Sequence, residues 1–183
     1  MTKVSLGMTM SLDGFIHDQH GSVAALYPDL AAAQDTASMQ EAIRTTGAVV
    51  MGRRAYNMGN GDFTGYEFQT PIFVLTHQAP TTVTKGENDR LRFHFVTDGI
   101  ASVIAQAKAA AGDRDVVVIG GAQTFQQCLN AGVADELQIV VRPVLLGAGL
   151  RLFEQIDAAR ITLATIAVME TPTTTELRFR IVS

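Results

Sequence analysis

The stretch "VVVIGGAQTFQQCL", residues 116–129, runs four aliphatic residues into two adjacent glycines and then into a helical pattern. A short aliphatic run of this kind is typical of a buried strand, and the residues after Gly121 open a helix. The first N–H groups of a helix have no partner within it and carry partial positive charge. Because Gly120 and Gly121 lack a Cβ atom, a phosphate could approach the backbone closely. Two interpretations remain open for the stretch alone: tight packing of strand on helix, and an anion site.

A second junction of the same kind lies upstream. In "AVVMGRRAY", residues 48–56, a buried strand runs into Gly52, and Arg53 and Arg54 follow at a helix start. An arginine at a helix N-terminus is unfavourable against the helix dipole, because cations are stabilised at the other end. A bound phosphate would remove this penalty, whereas the simpler alternative is a solvated surface pair. The two junctions together favour a phosphate site.

Composition excludes several functional classes. The chain has 183 residues, of which 47% are hydrophobic and 17% charged, and this predicts a single domain over residues 1–183. The net charge is −4, and no Lys/Arg run exceeds two residues, so we expect no nucleic-acid partner. No signal peptide and no apolar run of membrane-spanning length is found, which predicts a cytoplasmic protein without a membrane partner. Cys128 is the only cysteine and is expected to be an inert packing residue.

Strand-like and helical patterns alternate along the chain, and this predicts an α/β fold. A first strand over residues 3–10 precedes a helix over 29–46, and further strand and helix patterns alternate up to residue 147. Residues 161–170 and 175–183 follow without an intervening helix and predict a C-terminal antiparallel hairpin. The expected architecture is a mostly parallel sheet of eight strands with helices on both faces. Segments 59–70 and 76–90 are expected to be surface loops.

Five segments carry a resemblance to a known family. They are "MTMSLDGFI" (8–16), "VVMGRRAY" (49–56), "PIFVLTH" (71–77), "VVVIGGAQTFQQCL" (116–129) and "ADELQIVVRPVLLGAGLRLF" (134–153). In this order they resemble the dihydrofolate reductase-like family, which includes the reductase domain of the bifunctional riboflavin biosynthesis protein. The resemblance extends over nearly the whole chain. It implies a dihydrofolate reductase-like fold and an NADPH-dependent reductase.

The resemblance also implies a set of cofactor-binding residues. Two glycine junctions would cradle the phosphates of NADPH, and the end of a further strand would lie near the adenosine ribose and its 2′-phosphate. The cofactor-binding residues implied are Gly52, Arg53, Arg54, Thr76, His77, Gly120, Gly121, Ala122, Gln123 and Thr124. In the family the paired glycines are commonly joined by a cis peptide bond, so a cis bond is expected between Gly120 and Gly121.

Candidate catalytic groups are fewer, because the cofactor supplies the hydride and the protein handles one proton. An ungapped comparison with bacterial dihydrofolate reductases puts Asp29 at the position of the carboxylate that grips the pterin ring. Asp29 also starts the predicted helix, where a carboxylate is an ordinary stabiliser. Asp13 is the second catalytic candidate, with a turn-forming role as its alternative. Asp35 or water could replace Asp29 as the proton source.

Departures from the family leave the substrate open. Val140 stands where the pterin-binding carboxylate has a threonine partner, and the first-strand lysine usual in the riboflavin-pathway reductase is replaced around Gly7. Zinc deaminase motifs do not occur. His17 and His20 predict a polar loop rather than a metal site. The predicted function is reduction of a small heterocyclic (pterin-like or riboflavin-precursor-like) or carbonyl substrate; the alternative is a non-catalytic NADPH-binding module. A homodimer is expected in either case.

Overall fold

The computed structural model describes residues 2–29, 34–81 and 83–182. Its strands are β1 Val4–Ser11, β2 Phe15–Asp18, β3 Thr46–Gly52, β4 Ile72–Leu75, β5 Phe93–Val96, β6 Asp115–Val118, β7 Glu136–Arg142, β8 Gly149–Arg151, β9 Thr162–Glu170 and β10 Thr175–Val182. The helices are α1 Ala37–Thr45, α2 Arg53–Met58, α3 Ile100–Ala111 and α4 Ala122–Asn130, with a 3₁₀ turn at Ala158–Arg160.

Eight of these strands form one sheet in the order β5-β4-β3-β6-β1-β7-β10-β9. The strands from β5 to β7 in this order run parallel, whereas β10 is antiparallel to both β7 and β9. The predicted α/β architecture, with a mostly parallel eight-stranded sheet and a C-terminal antiparallel hairpin, is confirmed. The strands β2 and β8 pair with each other in a separate antiparallel ribbon that the sequence did not predict.

Helices cover both faces of the sheet because the central strands are apolar on both sides. In β3, Ala48 and Val50 join one hydrophobic cluster and Val49 and Met51 join another. Successive side chains of a strand point to opposite faces, so the two clusters lie on opposite sides of the sheet. Helices α3 and α4 contribute to the first cluster, and α1 packs against the second. This is the burial expected for a parallel sheet between two helical layers.

Helix α1 corrects the predicted helix over residues 29–46. It begins at Ala37, because the side chain of Thr36 accepts a hydrogen bond from the Met39 N–H and caps the first turn. Asp35 lies in a turn before this cap, and Asp29 belongs to no helix or strand. Residues 30–33 of the predicted helix lie outside the described residues. The N-cap residue Thr36 therefore interrupts the helical pattern that predicted one continuous helix.

The segment 59–70 is more buried than a surface loop. Phe63 and Phe68 are buried, and the ring of Phe63 stacks on Tyr56 with centroids 5.5 Å apart. Phe63 and Phe68 belong to the second hydrophobic cluster together with residues of β3 and β4, and this cluster therefore holds the segment against those strands. The prediction of a plain surface loop was wrong at these aromatic positions, because no regular element signals their burial.

Cys128 lies in α4 and is buried in the first cluster, as predicted for a packing residue. Burial raises the pKa of its thiol to about 12. The thiolate form is therefore disfavoured at neutral pH, and the side chain acts as a small hydrophobic residue.

Candidate active site at the ends of the parallel strands

A cleft of about 1840 Å³ opens beyond the carboxyl ends of β3, β4 and β6. Ligands of open α/β sheets bind at this edge. All ten predicted cofactor-binding residues are among those that line the cleft: Gly52, Arg53, Arg54, Thr76, His77, Gly120, Gly121, Ala122, Gln123 and Thr124. They come from three separate loops, and the parallel topology brings these loops to one place.

The junction between β6 and α4 presents an open backbone to the cleft. The peptide bond between Gly120 and Gly121 is cis, as the resemblance implies. Gly120 has a φ of +144°, a conformation that favours glycine, and a Cβ atom on it would lie 3.3 Å from that of Ala55. A Cβ atom on Gly121 would meet nothing within 4 Å. The free space beside Gly121, at the N-terminus of α4, suits an anion that approaches the N–H groups of the first turn.

The junction between β3 and α2 lies directly against the first one. The N–H of Gly52 donates to the carbonyl of Gly120 at 2.6 Å. A Cβ atom on Gly52 would overlap the side-chain oxygen of Thr124 in α4. The two glycine junctions therefore form one continuous surface, and the glycine at position 52 is what allows them to touch.

Arg53 is directed to the loop that follows β4. Its Nη1 donates to the carbonyl of Gln78 at 2.8 Å, and its Nε donates to Oδ1 of Asn57 at 2.9 Å. The hydroxyl of Thr76 donates to the same Gln78 carbonyl. These contacts hold a guanidinium group beside Thr76 and His77 at one end of the cleft. Arg54 is exposed and lines the cleft without a hydrogen bond or ion pair to any described residue.

The cleft is also lined by residues of β1, of the segment before α1 and of the segment 59–70. Met8 is one of them, with its terminal carbon 3.9 Å from the position of a Cβ atom on Gly120. Tyr27 lines the cleft as well and forms a hydrogen bond with Thr9 of β1. The sequence did not single out Met8 or Tyr27, because nothing local to either residue shows that the chain brings them to a shared cleft.

Asp13 has a structural environment. Its carboxylate accepts from the Ser11 hydroxyl at 2.6 Å and from the N–H groups of Leu146 and Gly147 at 3.1 and 2.7 Å. The hydrogen bond from Ser11, and then those from the two N–H groups, lower the pKa of Asp13 to about 2 against an ordinary value of 3.8. Asp13 is not among the residues that line the cleft, and it joins the loop after β1 to the segment before β8. These contacts support the turn-forming role that was the alternative for Asp13, and its direct catalytic role stays a prediction.

We expect Asp13→Asn to lower stability in a pH-dependent way. The folded-state pKa lies below the ordinary value, so the charged carboxylate stabilises the fold above an ordinary pKa of 3.8 and loses this effect as the pH falls through about 2. The difference between wild type and variant should be largest near neutral pH and shrink towards about pH 2. Urea unfolding midpoints across this range measure it. A difference that stays constant with pH would contradict an ionic role for Asp13.

Asp29 and Asp35 are both exposed, and neither is among the described residues that line the cleft. The structure therefore brings together the predicted cofactor residues but does not add the predicted carboxylates to them.

In the loop after β2, the carboxylate of Asp18 accepts from the N–H groups of His20 and Ser22 at 2.8 and 2.9 Å. These hydrogen bonds make the loop polar, and the absence of a metal at His17 and His20 stays a prediction. No group of three His, Cys, Asp or Glu side chains that could hold a metal ion occurs among the described residues.

No helix within residues 2–29, 34–81 and 83–182 is both long and apolar enough to cross a membrane.

Solved structures of other proteins share this fold. A protein from Shewanella sp. PV-4 that has been proposed to act in riboflavin biosynthesis is 23% identical, with a TM-score of 0.81 and full coverage of both chains. The Thermotoga maritima diaminohydroxyphosphoribosylaminopyrimidine deaminase/5-amino-6-(5-phosphoribosylamino)uracil reductase is 16% identical, with a TM-score of 0.76 over 99% of this chain and 57% of that one. Enterococcus faecalis dihydrofolate reductase in complex with NADP(H) is 18% identical, with a TM-score of 0.64 over 99% of this chain and 97% of that one. The predicted dihydrofolate reductase-like fold is therefore confirmed.

Sequence comparison identifies the family. An uncharacterized protein of Bacillus subtilis (strain 168), YyaP, is 24% identical over 159 residues, which cover 82% of this chain and 80% of that protein. A second one, YwjB, is 26% identical over 156 residues, which cover 84% of each. The family model of the RibD C-terminal domain matches residues 2–175. Because this match includes both glycine junctions and all ten predicted cofactor residues, the chain belongs to the RibD C-terminal domain family.

Proposed function

We propose that this protein is an NADPH-dependent reductase that transfers hydride to a small heterocyclic substrate, pterin-like or riboflavin-precursor-like, or to a carbonyl substrate. The observation that carries the proposal is the cleft in which the two glycine junctions and the loop after β4 meet. The names of relatives support it. One solved relative is a uracil reductase, and another is a dihydrofolate reductase in complex with NADP(H).

The residues of the cleft fit a phosphorylated dinucleotide. The side of Gly121 that faces the cleft has room for a phosphate, and the N-terminus of α4 supplies partial positive charge beside it. Arg54 would add a full positive charge to the pyrophosphate, and the guanidinium of Arg53 would bind the 2′-phosphate beside Thr76 and His77. Such a dinucleotide would supply a hydride when bound. The protein would align the acceptor and exclude water from it.

Calorimetric titration with NADPH and NADH tests the cofactor assignment. We expect micromolar or tighter binding of NADPH and clearly weaker binding of NADH, because only NADPH carries the 2′-phosphate. Binding should be followed by NADPH consumption when pterins, flavin precursors or small carbonyl compounds are added. If neither dinucleotide binds, the reductase proposal is contradicted.

Arg53→Ala is expected to weaken NADPH binding about tenfold or more and to change NADH binding by less than about twofold. A hydrogen bond to a charged group contributes about 1.5–3 kcal/mol, and only NADPH would lose such a bond, because the contacts of Arg53 with Gln78 and Asn57 are lost with either dinucleotide. Titration of the variant with both dinucleotides measures the difference. The matched control is Arg54→Ala, which should weaken both dinucleotides equally because each has the pyrophosphate. Equal losses for Arg53→Ala would contradict its assignment to the 2′-phosphate.

The source of the proton is tested by Asp29→Asn. The predicted role of Asp29 as the acid requires that this variant lose turnover while it retains cofactor affinity. The exposed position of Asp29 outside the cleft lining favours water instead. We therefore expect turnover within about twofold of wild type, since general acid catalysis by a side chain contributes about a hundredfold or more. A loss of that size with unchanged NADPH affinity would restore Asp29 as the proton donor.

The alternative function, a non-catalytic NADPH-binding module, is favoured by one observation. Neither Asp13 nor Asp29 is among the described residues that line the cleft. Such a module would bind NADPH with the same selectivity and would consume none of it with any of the compounds above. The expected homodimer remains a proposal for both functions. The edge strand β9 is a candidate surface for it, since Leu163, Ile166 and Val168 are exposed there.

A further inference from the structure

The acceptor end of the cleft is apolar. We use this name for the part of the cleft lined by Met8, Val23, Tyr27, Met51 and Ile119. Met8 lies beside Gly120, so this end adjoins the glycine junctions at which the dinucleotide is proposed to bind. Four of these five side chains are aliphatic or thioether groups and the fifth is the flat ring of Tyr27, so they suit a flat ring more than a polyhydroxylated chain.

Two carboxylates also line the cleft, and the backbone of one of them, Asp62, pairs with that of Lys85. Glu67 lines the cleft and accepts a weak hydrogen bond at 3.5 Å from Gln34, just before α1. Asp62 lines the cleft as well, and its hydrogen bonds with the side chain and N–H of Thr64 lower the pKa of the carboxyl below its ordinary value. The Asp62 carboxylate is therefore charged at neutral pH. A phosphate placed beside it would be repelled.

The positive charges that line the cleft belong to the two arginines assigned above to the phosphates of the dinucleotide. Among the described residues, the only Lys or Arg side chains that line it are Arg53 and Arg54. Arg53 is held by the Gln78 carbonyl at the end near Thr76. The residues outside the described part, 1, 30–33, 82 and 183, are Met, Leu, Ala, Ala, Ala, Thr and Ser and carry no charged side chain. Once the dinucleotide occupies both arginines, a phosphate on the acceptor would find no other Lys or Arg among the described residues that line the cleft, which makes its desolvation costly.

We propose that the acceptor end takes a small, uncharged, flat compound with a conjugated carbonyl or imine group, discriminates against phosphorylated acceptors, and uses the Tyr27 hydroxyl as its hydrogen-bond donor. This proposal rests on the reductase function proposed above. Tyr27 lies at the acceptor end and forms a hydrogen bond with Thr9, so the orientation of its hydroxyl is set by β1. Burial raises the pKa of Tyr27, although the hydrogen bond with Thr9 acts in the opposite direction. The hydroxyl therefore remains protonated and able to donate.

The proposed reduction balances with the groups named. The carbon of the C=O or C=N group gains a hydride, and its heteroatom gains a proton from water. The nicotinamide cofactor is oxidised by two electrons. Tyr27 donates a hydrogen bond to the heteroatom and is unchanged at the end. The uracil reductase among the structural relatives acts on a phosphoribosylamino compound, so the proposal separates this chain from that protein by the charge of the acceptor.

Riboflavin and FMN are a matched pair of probes, because they share the ring and side chain and differ by one phosphate. Binding of each is followed by flavin fluorescence in protein saturated with NADP⁺, which also occupies Arg53 and Arg54. We expect riboflavin to bind at least about tenfold more tightly than FMN. Equal or tighter binding of FMN overturns the proposal, and so does the absence of binding by both flavins. Calorimetry with NADP⁺ is done first: if NADP⁺ does not bind, the reductase function fails, and the flavin comparison is then made without it.

Two variants identify the groups responsible. Glu67→Gln removes one negative charge and should raise FMN affinity about threefold or more without changing riboflavin affinity. The control Glu170→Gln removes the same charge from exposed β9, outside the cleft lining, and should change neither. Tyr27→Phe should weaken both flavins about fivefold and leave their ratio unchanged, as expected for one lost hydrogen bond. Unchanged affinities in Glu67→Gln and Tyr27→Phe would contradict the roles given to these residues.

Discussion

Replacing Gly121 with alanine is expected to lower NADPH affinity about tenfold to one hundredfold while the protein stays as stable as wild type. The added methyl group would meet no protein atom within 4 Å, so it extends into the cleft itself. The φ of −86° and ψ of −172° at Gly121 are allowed for alanine, so the backbone is not strained. A phosphate displaced from the N–H groups of α4 would lose charge-assisted hydrogen bonds of about 1.5–3 kcal/mol.

Two measurements on Gly121→Ala separate these effects. Calorimetric titration gives the NADPH affinity, and urea unfolding without cofactor gives the stability. Gly7→Ala is a matched control, because a Cβ atom there would lie an ordinary 3.9 Å from Val117 and Gly7 is not among the residues that line the cleft. It should leave NADPH affinity unchanged. If Gly121→Ala binds NADPH as well as wild type does, the phosphates do not approach this glycine and the cradle is wrongly placed.

The glycine junctions could be predicted from the sequence because each is local. An apolar run, a glycine and a helical pattern follow one another within a few residues at β6, Gly120–Gly121 and α4, and the same is true at β3 and Gly52. The alternation of strands and helices then fixes which strand ends face the same edge of the sheet. The resemblance to a family added the loop after β4, which has no glycine and no local phosphate signal.

The part of the cleft beyond the glycine junctions could not be predicted from the sequence, because the contacts that build it join residues far apart in the chain. The strands β2 and β8 pair across more than one hundred residues, and each is too short to give a periodic signal. Gly149 is an example of such a non-local contact. A Cβ atom there would overlap the backbone of His17, so the glycine permits a close approach of β8 to β2 that no local sequence pattern predicts. The ungapped comparison that selected Asp29 assumed that the spacing from the first strand is the same as in bacterial dihydrofolate reductases. The separate prediction of a helix from residue 29 missed the Thr36 cap, after which α1 begins at Ala37. Where the chain turns between β2 and α1 decides which side chains reach the cleft.

Gly52→Ala is expected to lower the free energy of unfolding by about 1–3 kcal/mol, the usual cost of forcing an extra carbon into a packed contact. The added Cβ atom would overlap the Thr124 hydroxyl, and the hydrogen bond from the Gly52 N–H to Gly120 would have to shift with it. Because the two junctions are in direct contact, a shift at Gly52 should also displace the Gly120–Gly121 backbone, and NADPH affinity should fall in the same variant. Urea unfolding and calorimetric titration measure the two losses.

A double-variant cycle with Thr124→Ala shows whether the overlap is the cause. Thr124→Ala removes the hydroxyl that the new Cβ atom would strike, so the double variant should recover most of the stability lost in Gly52→Ala. If the stability losses of the two single variants simply add in the double variant, the overlap with Thr124 is not the cause of the loss in Gly52→Ala. Positions in contact are expected to couple by about 0.5–3 kcal/mol. Recovery of stability without recovery of NADPH affinity would mean that Thr124 also serves the cofactor, which is the role predicted for it. The same glycine would then account both for the packing of β3 on α4 and for the shape of the phosphate cradle.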